Sequence, residues 1–476
     1  MNQADDKFYK KRNIILFNIA LMTFMGTLDG SIVNVALPTM AKKLCISTEA
    51  ISWVVSIYLL VIAGTILIFG RLGDIIGKTK VFNFGIIIFT IGSLICGIAG
   101  SFPFLLFARV VQAIGAAGTM SANQGIITQV FPPQERGRAL GINGTFVALG
   151  SLAGPPIGGF IVGSLEWNYI FLINVPIGII VYLLSFRLLP KSVENSNEKL
   201  DVKGALLFAI AIVSLFGSLL IGEDYGYRHP YIIGGFILFV LSFVTFIIVE
   251  NKTEVPLLQL KLFQNKLFSL SIFCGFISFI AINSLTIIQP FYLQNTLKFS
   301  PSFTGLIMMV FPVVLAVVAP LSGALSDKIG SEILTFIGLS INSVGLFLMS
   351  TLTAHTSLYI LIIYIVIMSI GNGLFQSPNN SLILSNAPKN MLGIVGSVNA
   401  LVRNLGMITG IAMAILILYG RMSNIIGYEV STYIEGRDDA FIYGMKGAYM
   451  SAASVCAVGA ILTAIRLSKR KSNNHD

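Results

Sequence analysis

Apolar residues gather along this chain into long uninterrupted runs, each closed by a short cluster of glycine, proline, amide or charged residues. Neither the period-two alternation of a half-buried strand nor the single stripe of a soluble amphipathic helix describes them. A helix of about twenty apolar residues crosses a ~30 Å hydrocarbon layer. Runs of that length fall near 14–36, 51–70, 81–101, 104–130, 138–163, 168–189, 203–222, 231–250, 268–293, 303–325, 333–352, 357–385, 393–419 and 444–467. The pattern predicts an all-α membrane protein of fourteen spans.

The interruptions organise those spans. Charged segments at 190–202 (Lys191, Glu194, Glu198, Lys199, Asp201) and 251–267 (Lys252, Glu254, Lys261, Lys266) bracket two spans, leaving six before and six after. The expected parts are a tail (1–13), a six-helix bundle (14–189), linkers carrying two inserted helices (190–267, with helices at about 203–222 and 231–250), a second six-helix bundle (268–467) and a tail (468–476). A repeat at an offset of 253 supports two related halves: Gly70-Arg71-Leu72-Gly73-Asp74-Ile75-Ile76-Gly77 after the second span matches Gly323-Ala324-Leu325-Ser326-Asp327-Lys328-Ile329-Gly330 after the tenth. Duplicated halves suit a transporter that rocks one half against the other.

Composition and charge sharpen the class. Only 11% of residues are charged and 55% are apolar, against about 25% charged in soluble domains. Soluble enzymes, coiled coils, disordered scaffolds and disulfide-stapled domains are excluded. The net charge of +10 is distributed by side: with the N-terminus inside, 22 of the 31 Lys and Arg lie in inner segments, 7 in outer loops, and Arg109 and Arg403 inside spans. That bias places both termini in the cytoplasm and makes the basic excess an orientation signal rather than a nucleic-acid patch. The first span, preceded by thirteen mostly polar residues, is too long for a signal h-region and lacks a small-residue cleavage site, so it reads as a retained helix. The four cysteines and three histidines are too scattered to frame a disulfide set or a metal site.

Several motifs fall on these spans. The first carries Leu28-Asp29-Gly30-Ser31-Ile32-Val33-Asn34-Val35-Ala36-Leu37-Pro38, and Gly70–Lys80 follows the second. The fourth carries Arg109-Val110-Val111-Gln112 and Gly115-Ala116-Ala117-Gly118. The fifth carries Gly150-Ser151-Leu152-Ala153-Gly154-Pro155-Pro156-Ile157-Gly158-Gly159, and the sixth Phe171-Leu172-Ile173-Asn174-Val175-Pro176-Ile177-Gly178. In order and span number, these resemble the signatures of the fourteen-span drug:proton antiporter branch of the major facilitator superfamily. Departures are Ala113, where that family often has glycine, and Trp167-Asn168-Tyr169, which lacks its usual arginine. The resemblance implies the major facilitator fold, two six-helix bundles plus two central helices, and export of lipophilic or cationic drugs in exchange for protons. It also implies no cofactor beyond the proton motive force, function as a monomer, and residence in the cell membrane.

Asp29 is the leading candidate for proton coupling. A carboxylate inside an apolar span costs about 2.5–3.5 kcal/mol or more. Burial disfavours the charged form of such a group, and a nearby cation favours it. Asp29 lies fifteen residues into its span, about 22 Å at the helical rise, and Arg109 sits at a matching depth, roughly 8 Å down from the other side. The two are expected to meet, either as a coupling pair or as a permanent ion pair that fixes packing. Asp74 and Lys78, with Gly70 and Gly77, form a tight inner loop. The resemblance implies that Asp74 latches onto a helix N-terminus in the opposite half. Gly154 and Pro155 belong to a small-residue seam with a helix bend.

Polar stripes offer a substrate cavity. Arg109, Gln112, Ala116, Thr119 and Asn123 share one face of the fourth span. Ser369, Asn372, Gln376, Asn379 and Asn380 share one face of the twelfth, and Asn283, Thr286 and Gln289 form a weaker set in the ninth. Such groups avoid lipid, so they line a wet cavity or tie helices together by hydrogen bonds. Phe146, Phe291 and Tyr292 are candidate ring faces for a cation. Arg403 shares a face with Gly396, Asn399, Gly406 and Gly410 and is a second intramembrane charge without an obvious partner; an anionic group or backbone carbonyls are its alternatives. Glu223 and Asp224 are expected at a solvated rim, and Glu435–Asp439 in the outer loop 421–443 to turn a hairpin.

The expected function is a proton-coupled antiporter, not an enzyme, with small-molecule substrates, protons and lipids as partners. An exporter of an endogenous lipid or antibiotic-like metabolite fits the same fold. An enzyme on lipid-linked substrates needs a convergent His, Asp or Glu cluster, and a sensor needs an output domain; neither is present in the sequence.

Overall fold

The computed structural model describes residues 3–190, 201–253, 256–388 and 392–473, with fourteen helices long and apolar enough to cross a membrane. These are α1 (Gln3–Leu44), α2 (Trp53–Ile76), α3 (Lys78–Gly97), α4 (Phe102–Val130), α5 (Pro133–Ser164), α6 (Asn174–Leu188), α7 (Val202–Tyr225), α8 (Pro230–Lys252), α9 (Lys266–Phe291), α10 (Val310–Ile329), α11 (Ser331–Met349), α12 (Leu358–Ser385), α13 (Leu392–Ile426) and α14 (Asp438–Asn473). Short helical turns at Thr48–Ile51, Tyr169–Leu172 and Pro301–Met308 lead into α2, α6 and α10. Several helices outrun the apolar spans of the sequence, because a helix continues into the interfacial layer as long as its polar ends stay wet. Both termini fall at one end of the bundle, called here the termini end. Of the charged linker 190–202, residues 191–200 lie outside the described residues, as do Glu254, the tail residues 474–476, and the side chains of Glu223, Asp224 and Asp327.

Within α1–α6, α3 packs on α4, α1 on α5, and α2 on α4; within α9–α14, α11 packs on α12, α9 on α13, and α10 on α12. The inserted α7 and α8 pair with each other, and α7 leans on α2 and α13. Phe208 and Phe246 join the pair at 5.3 Å. The rest of α8 exposes Tyr231, Ile237, Leu241 and Val244, as a lipid-facing helix does.

The repeat has a three-dimensional counterpart. Gly77 and Gly330 are the single residues separating α2 from α3 and α10 from α11, at φ +98° and +90°. Side chains avoid that region of backbone space. Only Gly77 makes the turn in its motif: Gly70 and Gly73 are still helical, so the tight inner loop expected over 70–80 contracts to one residue. The same offset relates Gly85 to Gly338 and Gly92 to Gly345, two pairs the sequence reading passed over. Gly85 lies against the Gly115 carbonyl of α4 and Gly338 against the Gly371 carbonyl of α12. The expected hairpin at Glu435–Asp439 is absent: a turn at Glu435–Gly436 leads straight into α14, and no strand forms among the described residues.

The halves are sealed at the end away from the termini. Gln294 Nε2 donates to the Val35 carbonyl (3.0 Å) and Ser302 Oγ to the Gly159 carbonyl (3.0 Å). The loop after α13 clasps the entry to α2, where Glu49 N donates to the Ser431 carbonyl (3.1 Å) and Tyr433 N to Thr48 Oγ1 (3.1 Å). Partial burial, and the hydrogen bond it donates to Asp438 (2.6 Å), hold the Tyr433 phenol above its ordinary range.

Motif residues of α5 make two seams at once. Gly150, Gly154 and Gly158 lie against Thr27, Ser31 and Ile32 of α1, while Gly159 lies against Pro301, Ser302 and Gly305 ahead of α10. A Cβ on Gly159 falls 2.5 Å from the Pro301 carbonyl. Gly159→Leu is therefore expected to destabilise by about 1–3 kcal/mol through overpacking, read as a lower melting temperature in detergent. Gly234→Leu on α8, where a Cβ meets nothing within 4 Å, leaves the melting temperature unchanged.

Candidate functional site

Five helices deliver polar side chains to one point inside the first half. Asp29 comes from α1, Tyr58 from α2, Ser93 from α3, Arg109 and Gln112 from α4, and Asn174 from the start of α6. Tight approach makes this possible: Gly92 of α3 presses on the Gln112 backbone, where a Cβ falls 2.5 Å from Gln112 N and Cα. Any larger residue at 92 displaces the Gln112 side chain from its partners.

Arg109 and Asp29 are both fully buried. Arg109 Nη1 donates to Asp29 Oδ2 (2.7 Å) and to Gln112 Oε1 (2.6 Å), and Nε donates to the Val54 carbonyl (3.0 Å). Asp29 Oδ1 accepts from Gln112 Nε2 (2.9 Å) and Asn174 Nδ2 (2.8 Å). Gln112 Nε2 also donates to Ser93 Oγ (2.8 Å). The guanidinium lies 4.0 Å from the Tyr58 ring centroid and 5.5 Å from that of Phe171. Charge-assisted bonds of this length are the strong class. Two buried atoms have no partner among the described residues, Arg109 Nη2 and Asn174 Oδ1. The site can therefore hold a carboxylate by three side-chain donors, and it retains a donor and an acceptor for a water or proton.

Other predicted residues are placed differently. Gln112 is fully buried and belongs to the shell of Asp29, so its assignment to a substrate cavity is corrected. The rest of the α4 stripe faces helices too: Ala116 and Thr119 are buried, and Asn123 donates to Thr23 of α1 (2.5 Å). In α12 the stripe divides. Asn372 Nδ2 donates to Ser278 Oγ (3.2 Å) and Asn379 Nδ2 to the Ser271 carbonyl (3.0 Å), both on buried contacts with α9. These two tie helices together rather than line a cavity. Gln376 is half-buried, and Asn380 is exposed, accepting from Asn399 of α13 (3.2 Å).

In α9, Asn283 is buried and donates to its own Phe279 carbonyl (3.3 Å), and Gln289 is buried. Tyr292 is also buried, and its hydroxyl is committed to the Thr353 carbonyl (2.7 Å), which removes it as a cavity ring. Phe291 is fully buried, and Phe146 is half-buried edge-on to Phe17 at 5.9 Å. Asp74 pairs with Lys78 (3.3 Å), and Gly70 faces Ser397 of the second half. No group of His, Cys, Asp or Glu suited to a metal occurs among the described residues, and all four cysteines are free. Arg403 is half-buried, and no described residue accepts from it.

Sequence reasoning passed over Asn174, Ser93 and Tyr58. Asn174 had a usable signal, an amide inside the apolar stretch Phe171–Gly178. Ser93 and Tyr58 had none, since serine and tyrosine are common in membrane helices.

Fourteen spans in two related halves, with a buried ion pair in one, define a membrane transporter. Residues 19–206, 202–411 and 271–475 match the Major Facilitator Superfamily, and the chain belongs to that family. It is 36% identical over 97% of its length to the riboflavin transporter RibZ of Clostridioides difficile, of which 98% is covered. It is 29% identical over 94% of its length to the multidrug transporter protein MdtP of Bacillus subtilis, of which 83% is covered. Among solved structures, a bacterial homolog of the human lysosomal transporter Spinster, in an inward-facing and unoccupied conformation, superposes with TM-score 0.64 at 18% identity, over 95% of this chain and 96% of that one. That likeness shows the fold alone.

Removing one partner of a buried pair strands the other, at about 3–5 kcal/mol. Arg109→Ala is expected to lower the unfolding free energy in detergent by that much. Asp29→Asn combined with Arg109→Ala recovers a substantial part, because no unpaired charge remains. Arg109→Lys fails to rescue, since one ammonium cannot reach Val54, Asp29 and Gln112 together.

Proposed function

We propose that the chain is a proton-coupled antiporter that exports lipophilic small molecules by alternating access, with both termini in the cytoplasm of the cell and the far end outside. One observation carries the reading. Among the described residues, Asp29 is the only carboxylate more than one turn from a helix end, and it is held by Arg109, Gln112 and Asn174. A proton arriving on Asp29 removes the attraction to Arg109. Arg109 stays anchored by the Val54 carbonyl and Gln112, so the helix released is α1.

Release of α1 bears on the far-end seal through α5. Thr27 and Ser31, on either side of Asp29, touch Gly150 and Gly154, and the same α5 packs at Pro155 and Gly159 against the lead-in to α10. Neutralising Asp29 from outside thus frees α1 to settle into this chain of contacts and permits the far end to close. Release of the proton to the cytoplasmic side re-forms the pair with Arg109 and resets the cavity, so proton and cargo move in opposite directions. Each charge moved with a potential of 100 mV contributes about 2.3 kcal/mol, enough to drive modest uphill export. The positive-inside bias supports this orientation, and the multidrug relatives support lipophilic cargo. The riboflavin relative makes a flavin a second candidate cargo.

In proteoliposomes with an imposed pH gradient, wild type is expected to drive uphill movement of at least one compound in a panel of lipophilic dyes and riboflavin. Asp29→Asn loses that gradient-driven movement by about a hundredfold, the size of a lost buried charge-assisted contact, while exchange of cargo down its own gradient survives. Uphill transport retained by Asp29→Asn removes the coupling assignment.

A further inference from the structure

The inference rests on the transport reading and concerns what occupies the path between the halves. Arg403 sits on α13, nine residues beyond Ile394 where its span begins, so about 14 Å deep at the helical rise. The neighbours on its own face of α13 show where it points. Seven residues earlier, Gly396 meets Gln124 of α4; one turn earlier, Asn399 bonds Asn380 of α12; and Gly406 and Gly410, after it, lie against Phe276, Phe279 and Ile280 of α9. That face is turned toward protein from both halves, not toward lipid.

Yet Arg403 is only half-buried, and among the described residues no carboxylate, carbonyl or ring engages it. An arginine that faces inward and still reaches solvent borders open space. Gln124 and Asn380, both exposed, meet the same face two turns and one turn earlier, so amides accompany the cation along it. Among the described residues no carboxylate pairs with Arg403, and Asp29 is committed to Arg109. A guanidinium offers five donors in a planar fork that matches a carboxylate or phosphate, and its charge repels a cationic molecule.

We propose that Arg403 is the charge-recognition residue for the translocated molecule, and that the space between the halves takes amphipathic anions: an apolar or ring-bearing body with one acidic oxyanion group. Gln124 and the Asn399–Asn380 pair supply further hydrogen bonds, and the apolar stretch of α9 at Phe276–Phe279, packed on Gly406 one turn along, meets the apolar body. The cationic cargo that the family resemblance also allows is disfavoured by the same charge.

Full-length protein in lipid nanodiscs is tested by equilibrium dialysis with three probes that share one ring: 2-naphthylacetate, 2-naphthylacetamide and (2-naphthylmethyl)trimethylammonium. Wild type is expected to bind the acid about tenfold tighter than the amide, the worth of one charge-assisted contact, with the ammonium weakest. Arg403→Ala and Arg403→Gln bring acid and amide to near-equal affinity, Arg403→Lys keeps part of the preference, and Arg403→Glu inverts it toward the ammonium. Melting temperatures of the variants stay close to wild type, because Arg403 holds no partner in the structure. Equal affinity for acid and amide in wild type, or a preference that survives both neutral substitutions, overturns the proposal. Dialysis needs no proton gradient. A failed coupling experiment with an intact acid preference removes the antiport reading alone, and the reverse result removes only this one.

Discussion

A charge surrounded by hydrocarbon must be matched by another charge and by donors, and the first half of this molecule is assembled around that demand. Asp29 and Arg109 are both fully buried and 2.7 Å apart. Desolvation of the two ions is expensive, and their mutual attraction offsets it only when the remaining lone pairs and protons are engaged. Gln112, Asn174, Ser93 and the Val54 carbonyl engage all of these but Arg109 Nη2, and each arrives on a different helix except Gln112, which shares α4 with Arg109. The pair thus ties α1, α2, α3, α4 and α6 to one point. Lipid gives no hydrophobic drive between helices, so small-residue approach and polar contacts decide.

That constraint has a consequence for symmetry. The glycine seams repeat at an offset of 253, so the α11–α12 pair is built on the same plan as α3–α4. On α12 the packing shifts the match by three residues: Gly345 meets Met368 as Gly92 meets Gln112, so Arg109 and Gln112 correspond to Ile365 and Met368. The second half keeps the scaffold and leaves out the charge, and its α12 amides Asn372 and Asn379 instead bond to α9. A proton can therefore bias one half without an equal and opposite effect on the other. Exchange of states in a two-halved carrier needs such an imbalance if protonation is to drive it.

Much of this was legible in the sequence, for physical reasons that differ from feature to feature. Span number and ends follow from the length of a hydrocarbon crossing, which leaves little freedom. The turn at Gly77 was legible as glycine, and its repeat at Gly330 fixed the two halves. Depth counting placed Asp29 opposite Arg109, because a helix converts residue number to distance at a constant rise. The polar stripes were not legible to the same degree. Periodicity reports that Gln112, Asn372 and Asn379 avoid lipid, but a neighbouring helix and a water-filled path satisfy that condition equally. Only packing distinguishes them: Gly92 brings α3 flush onto Gln112, and no such contact is visible in the order of residues along one helix.

The same distinction explains why Arg403 stands apart from the amides. An asparagine has a modest desolvation cost, and a single carbonyl of a neighbouring helix, such as that of Ser271 for Asn379, satisfies it. A guanidinium has five donors and a full charge, so one backbone contact does not suffice, and an arginine turned inward without a carboxylate is stable only beside water or an anion. Among the described residues the structure supplies the carboxylate for Arg109 and none for Arg403. On the proposed reading, the membrane helix that carries the second arginine borders a wet path for at least part of the working cycle, and the contents of that path complete its charge balance.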